Sequence, residues 1–145
     1  MEKEAVDLHS ILNEYRPKRR AGGSEQRPAE SVKQATTSEI PDLFFDEILV
    51  SYKLSRIEIM VMMYLYRRVW CRPNLYKEYG ISQLLSHTEM ARNLGLNIED
   101  IHNSLRKVED FGFISTIRSG QYFVRKYFTK ENDELFGQSY DNFEV

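Results

Sequence analysis

Large apolar side chains crowd the middle of this chain and thin out toward both ends. Between residues 21 and 39 the only branched apolar residue is Val32, and Pro17, Gly22, Gly23 and Pro28 punctuate the polar stretch around it. Such a segment buries too little surface to offset its ordering entropy, which predicts a disordered arm over residues 1–39. Inside the arm, Val6, Leu8, Ile11, Leu12 and Tyr15 trace a partial helical stripe that Pro17 stops. A helix of that length is marginal in water by itself. Residues 40–130 hold nearly all the large apolar residues and predict one folded domain. Residues 131–145 read as a loose acidic tail, with Leu135, Phe136, Tyr140 and Phe143 as its candidate anchors.

Within the middle region the pattern resolves into elements. Leu43, Phe44, Phe45, Ile48, Leu49 and Val50 form a short apolar entry, helical or extended. Ser55 with Glu58 has the S-x-x-E form of a capping box, which predicts a helix from there to about Cys71, ending ahead of Pro73. Its apolar residues cover most of the circumference, so it is expected to be the central buried helix. A loop follows and closes on a short strand over residues 81–85. Ser86 and Glu89 repeat the capping-box spacing and open a short helix carrying Met90, Ala91 and Leu94, ended by Gly95. Asn97 then caps a third helix, 98–111, with Ile101, Leu105 and Val108 on one face and Gly112 after it. Residues 113–118 and 121–128 read as two strands, and Ser119 with Gly120 suits a tight hairpin between them.

Composition narrows the classes. With 145 residues the chain suffices for one compact domain with flexible ends, and 41% hydrophobic content supports a core. A formal net charge of -2 counts against an indiscriminate nucleic-acid coat but leaves a local basic surface open. The single cysteine, Cys71, beside Trp70 in an apolar segment, reads as a buried structural thiol in a reducing compartment. The first 15 residues hold no signal-like apolar run, and the densest run, 57–66, is too short to cross a bilayer. The expectation is a cytoplasmic protein without a membrane partner.

Residues 86–128 resemble the bacterial winged helix-turn-helix superfamily of transcriptional regulators and plasmid replication initiators. The matching pieces are Glu89-Met90-Ala91, Leu94-Gly95-Leu96-Asn97, the helix from Ile101 to Val108 followed by Glu109, and Gly112-Phe113-Ile114. Residues 49–70 look more loosely like the first helix of the replication-initiator branch. The resemblance implies an α+β, mainly α fold: a three-helix core with a β-hairpin wing, a flexible N-terminal arm and a short C-terminal tail. It also implies a protein that reads double-stranded DNA with helix 98–111 in the major groove and wing 114–128 beside it. By position the DNA-binding residues would be Asn97, Glu99, His102, Asn103, Arg106 and Lys107 on the helix, with Arg118, Ser119 and Gln121 on the wing. Thr88 and the amides of the second helix would hold a phosphate. Asn103 suits a bidentate pair with adenine, and Arg106 a contact with guanine or a phosphate.

Two features depart from the family pattern. The resemblance leads one to expect Thr or Ser and then Arg early in the third helix, where this chain has Asp100 and Asn103. Glu99 and Asp100 together make the helix start acidic, favourable to the helix dipole and unfavourable to phosphate. Basic support would then come from Lys107, Arg118, Arg125 and Lys126, or from Arg16, Lys18, Arg19 and Arg20 in the arm. The alternative is a winged helix used as a protein–protein adaptor, and residues 1–20 or the acidic tail would dock a partner or a second copy. No cofactor, metal site or catalytic constellation is expected. His9, His87 and His102 are scattered, Met60, Met62 and Met63 read as core, and the glycines sit at turns.

Overall fold

The computed structural model describes residues 32–140. The helical stripe and basic cluster expected within residues 1–20, and Phe143, lie outside these residues. Residues 32–40 lack regular secondary structure, and the compact unit begins at Ser38. Ser38 accepts from Arg72 Nη1 at 3.3 Å and the Glu39 carbonyl from Cys71 Sγ at 3.3 Å, so the last two residues assigned to the arm belong to the folded body.

The apolar entry is helical: a π-helical turn, Phe44–Ile48, runs into Leu49–Ser51, together α1. Phe44 and Ile48, four residues apart, face the core, while Phe45 and Val50 stay exposed. Helix α2, Arg56–Tyr66, continues as a π-helical turn through Arg67–Cys71. The capping box closes in both directions, Glu58 N to Ser55 Oγ at 3.1 Å and Ser55 N to Glu58 Oε1 at 2.9 Å. Val61, Met62, Leu65, Tyr66 and Val69 are buried, so α2 is the central helix. Each such side chain contributes about 1.5–3 kcal/mol by leaving water. Cys71 is half-buried rather than buried.

Helix α3, His87–Leu94, ends at Gly95, whose φ of +68° is a left-handed cap that other residues adopt only with strain. Its start is half a capping box. Ser86 Oγ accepts from Glu89 N at 3.1 Å, but the Glu89 carboxylate turns away to Arg68 at 3.3 Å. Helix α4, Ile98–Asp110, starts after a turn of three residues, with Asn97 Oδ1 accepting from Asp100 N at 2.7 Å. Ile101, Leu105 and Val108 are buried against α2, as their spacing requires.

Strands β1, Ile114–Arg118, and β2, Gln121–Val124, form an antiparallel hairpin with Ile114 opposite Val124 and Thr116 opposite Tyr122. The strand expected at residues 81–85 is a single bridge, Ile81 to Phe123. The ladder stops because Tyr122 N donates to the Ser82 hydroxyl at 3.1 Å instead of a backbone carbonyl. At the other end of the segment, Leu85 N donates to Gly120 O at 2.7 Å, tying down the hairpin tip. Gly120 has φ +84°, and a Cβ there would lie 2.6 Å from Leu85 O.

Two expectations at the C-terminal end are corrected. The second strand was expected to reach residue 128 but stops at Val124. Arg125 N still donates to Phe113 O at 3.1 Å, and the two amides after it turn to side chains: Lys126 N donates to Tyr140 Oη at 2.9 Å and Tyr127 N to Asp133 Oδ1 at 3.1 Å. The tail is not loose over residues 130–140. Helix α5, Lys130–Leu135, is capped by Thr129 and buries Asp133, which pairs with Arg125 at 3.1 Å and accepts from Tyr140 Oη at 2.6 Å. Of the candidate anchors, Tyr140 packs on Phe123, while Leu135 and Phe136 are exposed.

The described residues are thus an α+β, mainly helical arrangement of five helices and a two-stranded antiparallel sheet, compatible with a winged helix. Tyr66 Oη donates to Lys126 O at 2.8 Å and Trp70 Nε1 to Val124 O at 3.1 Å. The end of α2 therefore fixes where the hairpin leaves the body. The hairpin in turn meets α4 through Glu109, whose carboxylate accepts from Thr116 N at 3.0 Å and Thr116 Oγ1 at 3.1 Å.

Candidate functional site

Helix α4 buries one face and presents the rest. At 100° per residue, Glu99, Asn103, Arg106 and Asp110 fall on the outward side, opposite Ile101, Leu105 and Val108. All four are exposed. His102 and Glu109 flank that side toward the hairpin, and Lys107 flanks it on the other, its Nζ 5.6 Å from the centre of the Phe111 ring. Arg106 and Asn103 are therefore available to a partner without supporting the core.

Between α4, the hairpin and the start of α3 runs an open cleft of about 400 Å³, lined by His102, Arg106 and Glu109, by Thr116, Ser119 and Tyr122, and by His87. Of the residues expected to bind DNA, the structure brings His102, Arg106 and Ser119 together here. Asn97, Glu99, Asn103 and Lys107 lie elsewhere on or before α4, and Thr88 is exposed on the first turn of α3. Three expected site residues are engaged by the fold. Asn97 Oδ1 caps α4. Gln121 accepts from Arg118 Nε at 3.0 Å and donates to Ser82 O at 3.0 Å, holding the hairpin to the preceding segment.

Of the histidines, His87 and His102 are brought together rather than scattered, and His9 lies outside the described residues. His102 Nε2 lies 3.3 Å from His87 Nδ1, and His87 Nε2 meets the Tyr122 hydroxyl, giving a chain of three polar groups across the cleft. Burial foremost, and His102 next, lower the pKa of His87 from its ordinary 6.5. Burial raises that of the Tyr122 hydroxyl, with Glu109 adding to the effect, so the phenol keeps its proton. Spacing could not have paired these residues, because α3 and α4 bring together positions 15 apart.

The charge of α4 is mixed. Glu99, Asp100, Glu109 and Asp110 stand against Arg106 and Lys107, four carboxylates to two cations. A second groove, of about 440 Å³ between α2 and α3, has Met60, Met63, Tyr64 and Leu94 in its lining and Arg67 and Arg68 beside them. Met62 is core, whereas Met60 and Met63 are half-buried in this groove. Among the described residues no three or more His, Cys, Asp or Glu side chains gather to hold a metal ion. No helix among them is long and apolar enough to cross a membrane.

Compared with protein-family models, curated proteins and solved structures, the chain matches none.

Proposed function

We propose that the folded body is a winged helix domain that binds duplex DNA, as a transcriptional regulator or replication-associated factor. In this reading α4 enters the major groove and the hairpin is the wing. The observation that carries it is the order of elements. A central helix, a bridging segment paired to β2, two helices joined by a three-residue turn, and a hairpin leave one face of α4 outward and polar. Asn103 and Arg106 then face base edges, and Arg118 and Lys107 face the backbone. The wing tip is tied to the preceding segment by the bond from Leu85 N to Gly120 O.

Surface charge limits how such binding works. About two phosphates contacted, by Lys107 and Arg118, give a salt slope of roughly -1.8 and about a 12-fold loss of affinity between 50 and 200 mM salt. Fluorescence anisotropy with a random duplex pool at low salt tests the reading. Absence of binding to any duplex overturns it.

The acidic excess on α4 favours a second reading, a winged-helix adaptor for a protein partner with a basic surface. That partner would bind through Glu99, Asp100 and Asp110, and reversing these charges would abolish its binding. In the DNA reading the same reversal strengthens duplex binding, so one set of variants separates the two.

A further inference from the structure

The contact between His102 Nε2 and His87 Nδ1, at 3.3 Å, has room for one proton on its line. With both imidazoles neutral, one ring donates and the other accepts. One added proton leaves that contact intact, because a single ring can carry the charge while its neighbour still offers a lone pair. A second added proton sets N–H against N–H and two cations within one cleft. The ring centres are 5.0 Å apart and cross at 79°, so neither imidazole can stack to relieve this.

The one carboxylate in the cleft lining, Glu109, already accepts two hydrogen bonds, both from Thr116. Also from α4, Arg106 lines the cleft as a permanent cation. From the hairpin, Tyr122 contributes a phenol that keeps its proton and occupies His87 Nε2. On α3 itself, Glu89 turns to Arg68. His87 is held by Tyr122 and half-buried, whereas His102 is exposed. Relief therefore comes by His102 swinging out.

We propose that His87, His102 and Tyr122 form a proton-operated latch across the cleft, in which the second added proton frees His102 as a cation on the exposed side of α4. Its consequence for DNA rests on the function proposed above. A freed imidazolium offers one more phosphate contact, so acid tightens duplex binding and steepens its salt slope by about 0.9.

The test uses the full-length chain, with two readouts. Imidazole resonances are followed by NMR from about pH 8 to pH 5 in the unchanged chain and in His102→Gln and His87→Gln. Duplex affinity is measured over the same range. The expected result is that His87 titrates at higher pH in His102→Gln, and that affinity for a random duplex pool rises about tenfold toward acid in the unchanged chain but stays level in His102→Gln. An unmoved His87 titration overturns the latch. A moved His87 with pH-independent duplex binding overturns its link to DNA. A moved His87 with no duplex bound at any pH supports the latch and removes the DNA reading alone.

Discussion

Removing the Asp133 carboxylate should unfasten the C-terminal segment from the body. One carboxylate serves three donors there: Arg125 Nη1 at 3.1 Å, Tyr127 N at 3.1 Å and Tyr140 Oη at 2.6 Å. Its side chain is 3% exposed and that of Arg125 17%, so Asp133→Ala leaves a largely desolvated guanidinium and a backbone amide without their acceptor. Breaking a buried pair from one side costs about 3–5 kcal/mol. The residual water access of Arg125 sets the expectation at the lower end, about 3 kcal/mol. Against a typical total of about 5–15 kcal/mol that is a large share. Asp133→Asn keeps one acceptor oxygen and should cost less, about 1.5–3 kcal/mol, the range for hydrogen bonds to a charged group. Urea denaturation followed by far-UV circular dichroism measures both. A loss under about 1 kcal/mol for Asp133→Ala would refute the clasp and restore the loose acidic tail that composition suggests.

Four further outcomes follow from the same structure. Asn103→Ala and Arg106→Ala should each weaken specific duplex binding by about 1–3 kcal/mol while leaving the melting curve unchanged, and equal affinity and sequence preference in both would exclude α4 as the reader. Gly120→Ala should destabilise the domain by more than the ~1–2 kcal/mol of left-handed backbone strain, because its Cβ meets Leu85 O at 2.6 Å; thermal melting reads this directly. Stability should fall as pH drops below 6.5, the ordinary value for His87, and hold above it. The folded chain lowers that pKa, so the unfolded chain takes the proton first, and melting of His87→Gln should show a shallower decline. Residues 38–145 alone should fold with a stability within about 0.5 kcal/mol of the full chain's, measured by urea titration.

Local chemistry made helices α2, α3 and α4 and the hairpin turn legible. Ser55 with Glu58, Ser86, Asn97 and Gly95 act within one turn of their own backbone, so the sequence states both the element and its ends. The period of Ile101, Leu105 and Val108 likewise named the buried face of α4, and with it the outward one. Where the reading stopped short, a distant side chain had taken a backbone group. Ser82 replaced a strand acceptor for Tyr122, and Asp133 with Tyr140 drew the amides of Tyr127 and Lys126 out of the second strand. Phe128 shows the outcome: at φ 78° it leaves strand geometry, yet its ring is buried and stacks 4.9 Å from that of Tyr66. A left-handed backbone at a bulky residue costs about 1–2 kcal/mol, and burying the ring offsets it.

The same division governs the candidate site. Asn103 and Arg106 were legible because their exposure follows from the helix period alone. His87, His102 and Tyr122 were not, because their meeting depends on how α3, α4 and the hairpin pack. Gln121 was placed at a partner's disposal by its position on the hairpin, yet Arg118 and Ser82 engage both ends of its amide. Position on an element says which side chains face outward; the hydrogen bonds they already make say which are spoken for. By that measure the side chains best suited to meet a partner are Asn103 and Arg106 on α4. The His87–His102 pair beside them is where a change of protonation would alter what that face presents.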